Sequence, residues 1–123
     1  MTDYFKTGQE IEAVVSGFEN CTTSKEGFTH VSHLTVATYY LYNSTPEESF
    51  EKMRSGLLRF LGYHGVNSAK YSDRVTWAWI DQIRQVCQLT NQDSSLVEIV
   101  NRVIARLGHS RIANEGEAGE INE

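Results

Sequence analysis

His30 and His33 are the side chains in this sequence best placed to do chemistry. Imidazole exchanges a proton near neutral pH and ligates metals through a ring nitrogen. The two stand at i and i+3 in Phe28-Thr29-His30-Val31-Ser32-His33-Leu34, so on a helix they share a side. A metal held there would need one or two more donors from facing helices. Glu12, Glu19, His64 and Asp73 are the candidates, and His30, His33 and Asp73 make the set expected if a metal binds. No carboxylate lies between the histidines, unlike the base embedded in His-Glu-x-x-His. The plainer alternative is a pair at the edge of the core, satisfied by backbone, tyrosine or carboxylate partners.

Other reactive groups are less suggestive. Cys21 has no neighbouring base in sequence, and Cys87 falls on an apolar stripe. Glycine-rich phosphate loops, Ser-His-Asp orders and zinc-spaced cysteines are missing from the sequence. His64, in Gly62-Tyr63-His64-Gly65, suits a helix C-terminus, where a cation meets the negative end of the dipole. Tyr39, Tyr40 and Tyr42 fit ordinary helix packing better than an aromatic cage. Trp77 and Trp79 face different ways on a helix, one toward the core and the other toward a cavity or an oligomer contact.

These residues must be carried by helices. Ile11, Val14, Val15 and Phe18 recur at helical spacing and predict a short helix over 9–19. Thr23 and Glu26 have capping-box spacing and predict that a second helix starts there and runs to about Asn43. On that helix Leu34, Ala37, Leu41 and His30 share one sector, while His33 lies about 60° to the side with Tyr40 beyond it. Thr45-Pro46-Glu47-Glu48 opens a third helix, with Phe50, Met53, Leu57, Leu58 and Leu61 as its stripe. Residues 65–71 form a loop. Ser72-Asp73 opens a fourth helix, with Val75, Trp79, Ile83, Val86 and Cys87 inward. Ser95 and Glu98 box a fifth, which stops at Gly108. No strand alternation appears. The expectation is all-α, a compact bundle of about five helices.

Composition agrees with one soluble domain: 123 residues, 40% hydrophobic, 22% charged, one proline. The domain is expected over 1–111, followed by an acidic disordered tail over 112–123. That tail holds Glu115, Glu117, Glu120 and Glu123, four of the negatives behind a net charge of −5. No basic patch favours nucleic acid. No apolar run is long enough for a membrane span, and no leader peptide is expected. Two unpaired thiols suit a cytoplasmic location.

The histidine stretch resembles a group of small uncharacterised bacterial helical proteins. Their pattern is Phe/Trp-Thr-His-x-x-His-Leu with a nearby Ala and Tyr-Leu. A segment like Arg54-x-Gly56-Leu57 and a loop glycine follow, and Tyr-His-Glu-Thr-x-Thr then leads into an aromatic helix. The resemblance spans about residues 18–85. In Tyr71-Ser72-Asp73-Arg74-Val75-Thr76, Tyr71 and Thr76 are kept, Asp73 replaces Glu and Ser72 replaces His. A third histidine available to that group for ligation or proton transfer is thus missing here. The resemblance implies a pocket lined by His30, His33, Tyr71, Asp73, Thr76 and a tryptophan. Trp77, Trp79 and Tyr40 complete the expected binding side chains. It implies no substrate, and the sequence names no cofactor.

Three functions follow as expectations. One is an enzyme acting on a small, partly apolar molecule: His30 or His33 moves a proton, Asp73 orients or charges it, and Tyr71 or Thr76 holds a substrate oxygen. The second is a non-catalytic ligand-binding module, or a homodimeric assembly module using an aromatic helix face. The third is a metal protein whose ion is held by two histidines and a carboxylate.

Overall fold

Four of the five helices start at a threonine or serine cap at or next to the expected position. The computed structural model describes residues 4–91 and 93–109, and among these there is no strand. The helices are α1 (Gly8–Glu19), α2 (His30–Asn43), α3 (Pro46–Tyr63), α4 (Asp73–Leu89) and α5 (Leu96–Leu107), with a 3-10 turn at Ser68–Lys70. The protein is all-α, and none of its described helices is long and apolar enough to cross a membrane. The segment 112–123, expected to be a disordered tail, lies outside the described residues.

Capping boxes close reciprocally at Thr7/Glu10, Thr45/Glu48 and Ser95/Glu98, and Ser72 accepts from the Val75 amide. Each satisfies an amide that would otherwise lack an acceptor at a helix start. Glu10 also accepts from the Lys6 and Thr7 amides, which hold its carboxyl below the usual range.

The start of α2 departs from the expectation. Thr23 caps nothing there: its amide donates to the Gly17 carbonyl at 3.2 Å, and its hydroxyl packs on the Gly17 Cα. It therefore closes α1, aided by Cys21, which takes a left-handed φ of 58°. Gly27 ends a tight turn and Phe28 enters the core, so helix formation waits for Thr29. The Thr29 side chain accepts from the Ser32 amide at 3.3 Å. His30 becomes the first residue of α2 rather than a residue well inside it.

The other four helices all pack on α2. Every residue from His33 to Thr38 is buried, so the helix is enclosed on all sides instead of presenting one apolar stripe. Its threonines tolerate this because their hydroxyls stay within the helix. Thr35 donates to the Val31 carbonyl at 2.8 Å and Thr38 to the Leu34 carbonyl at 2.7 Å. Phe18, Phe28 and Phe60 cluster between α1, the loop and α3, with ring centroids 4.8–5.7 Å apart. The N-terminal segment is tied to α5 by one amide: Asn101 accepts from the Phe5 N–H and donates to the Phe5 carbonyl, both at 2.9 Å.

Candidate functional site

The histidine pair divides between two environments. His30, at the N-terminus of α2, is half-buried, and its Nε2 lies 3.1 Å from the Leu107 carbonyl at the end of α5. Its ring rests on Trp79, centroids 4.9 Å apart. His33 is the deeper of the two, 5% exposed, with its ring 5.8 Å from Phe28. Helical angle alone placed His30 inward and His33 on the flank. The structure reverses this, because α2 is covered all round and His30 sits at its open end.

Tyr71, Asp73 and Thr76 gather at the start of α4. The Tyr71 hydroxyl is shielded from solvent, and burial holds this phenol above the usual tyrosine range. Asp73 is exposed and paired with Arg54 of α3 at 3.2 Å. The Thr76 hydroxyl donates to the Ser72 carbonyl at 3.0 Å. Trp77 stands apart, 39% exposed and stacked on Phe50 with centroids 4.5 Å apart, while Trp79 is core. No three His, Cys, Asp or Glu side chains converge as a metal site among the described residues, so the set His30, His33 and Asp73 is not assembled. Its members lie on separate contacts: one at the end of α5, one in the core, one in a surface ion pair.

Two of the grooves among the described residues are lined by neither His30 nor His33. The first, about 480 Å³, is bounded by Glu19 of α1, by Tyr39, Tyr40 and Asn43 of α2, and by Glu51, Lys52, Ser55 and Arg59 of α3. Tyr40 is buried in its floor and donates from its hydroxyl to Glu19 Oε2 at 2.6 Å. Burial and that carboxylate both raise the Tyr40 phenol above its usual range. Lys52 Nζ lies 5.5 Å over the Tyr40 ring, and Arg59 Nε donates to the Glu19 carbonyl at 3.3 Å. The second groove, about 690 Å³, follows α5 between Tyr4, Val97, Ile104 and His109.

Of the expected site residues Tyr40 lines the first groove, together with Glu19, one of the candidate metal donors. Sequence reading missed Lys52 and Arg59 altogether. Glu51, Ser55 and Arg59 do recur at helical spacing opposite the α3 stripe, but such a row looks the same as any solvated helix face.

No protein-family model, curated protein or solved structure matches this chain.

Proposed function

We propose that this protein is a non-catalytic binding module that takes a small molecule in the groove between α1, α2 and α3. The observation carrying this reading is the groove itself. It has about 480 Å³ of space, and its floor residue Tyr40 is fixed by a short hydrogen bond to Glu19. Small-molecule sites occupy about 300–1,000 Å³ and use a few well-placed polar groups. The acid–base reading draws less support from the geometry: His30 contacts a backbone carbonyl, His33 is buried and Asp73 faces Arg54.

A thermal-shift screen of metabolite-like compounds tests this, since a ligand of the folded state raises its midpoint. At least one compound is expected to raise the midpoint by several degrees, in the parent protein and in His30→Ala alike. Ser55→Trp, which fills the groove, should abolish the shift. A compound that the protein converts, with conversion lost in His30→Ala, would instead establish the enzyme. Shifts untouched by Ser55→Trp would place binding elsewhere.

A further inference from the structure

We infer that the ligand of this groove is a small organic carboxylate with an amide- or hydroxyl-bearing body; the inference rests on the binding role proposed above. Two cations border the groove, Lys52 and Arg59, and neither has an ion-pair partner among the described residues. The groove also holds two carboxylates, Glu19 and Glu51, which balance the cations in formal charge, but neither is paired with Lys52 or Arg59. Glu19 accepts from Tyr40, and Glu51 stands exposed at the rim beside Lys52 in sequence.

Arg59 is fixed for the purpose. Its Nε–H is committed to the Glu19 carbonyl, which anchors the guanidinium to the end of α1. The Nη donors remain, and a planar carboxylate matches them with two parallel bonds. Lys52 supplies a mobile point charge above Tyr40. From Arg59 the groove runs back along α3 past Ser55 to Glu51, about 12 Å for eight residues of helix. Ser55 and, across the groove, Asn43 offer hydrogen bonds to a polar body, and Tyr39 offers an apolar wall.

The experiment compares N-acetyltyrosine with its uncharged amide, N-acetyltyrosinamide, by calorimetric titration of the full chain. The acid is expected to bind, and the amide about tenfold more weakly or worse. Arg59→Gln should cost a similar factor, with Arg59→Lys between it and the parent and Lys52→Gln milder. Circular dichroism shows that each variant is folded; if Arg59→Gln is not, Arg59→Lys carries the test. Raising the salt should weaken the acid alone.

Equal binding of acid and amide, lost in Ser55→Trp, would overturn the anionic class yet keep the groove. Failure of both probes would overturn the inference, and the compound screen then judges the groove separately. Inorganic phosphate competing as strongly as the acid would reduce recognition to charge and also overturn it.

Discussion

His30 joins the start of one helix to the end of another. Its ring nitrogen meets the Leu107 carbonyl where α5 runs out of amide partners, and its face covers Trp79. His30→Ala removes both contacts and should lower stability by about 1–2 kcal/mol, read from urea denaturation. Unchanged stability would mean that solvent serves the Leu107 carbonyl equally well. That the two histidines share one helix was legible in the sequence. Which one is buried was not, because helical angle describes a cylinder with one wet face and α2 has none over its middle turns. Arg59 gave no sign at all: a charge becomes part of a groove only when another helix end, here that of Glu19, comes to meet it.

At the scale of elements, close approach decides what a position tolerates. α1 and α3 meet where Gly56 faces the Phe18 ring. A Cβ there would stand 2.5 Å and 2.7 Å from two ring carbons. Gly56→Ala should therefore destabilise by about 1–3 kcal/mol through overpacking, although alanine favours a helix. Gly62, on the same helix, has open space around its Cα. Gly62→Ala should stabilise by up to about 1 kcal/mol. Chemical denaturation of the pair separates packing from propensity, and like signs for both would refute the argument. The starts of α3, α4 and α5 were readable because a cap and its partner are three residues apart. The start of α2 was misread for a tertiary reason: Thr23 is recruited to cover Gly17.

For the whole molecule, the shielded phenols set an alkaline limit. Tyr40 and Tyr71 are both raised, chiefly by burial and further by nearby carboxylates. A group with a raised folded pKa resists losing its proton in the native state while the unfolded chain loses it normally. Its stabilising contribution is complete below the ordinary tyrosine value near about 10 and is lost as pH rises through the folded value. Urea midpoints should fall above about pH 10, and the double variant Tyr40→Phe, Tyr71→Phe should flatten that fall. An equally steep decline in the double variant would assign it to other groups. Half-buried Cys87, also raised by burial, contributes in the same direction from lower pH.

The sequence by itself determined the all-α class, most helix starts and the inward stripes of α3 and α4. These depend on caps and periodicities complete within a few neighbouring residues, whose physics needs no knowledge of the rest of the chain. The tertiary structure alone decided that α2 is the enclosed helix, that its two histidines separate, and that Glu19, Tyr40, Lys52 and Arg59 meet in one groove. Burial on every side and the meeting of polar side chains from three helices are properties of packing, and packing is set by how helices distant in sequence share one core.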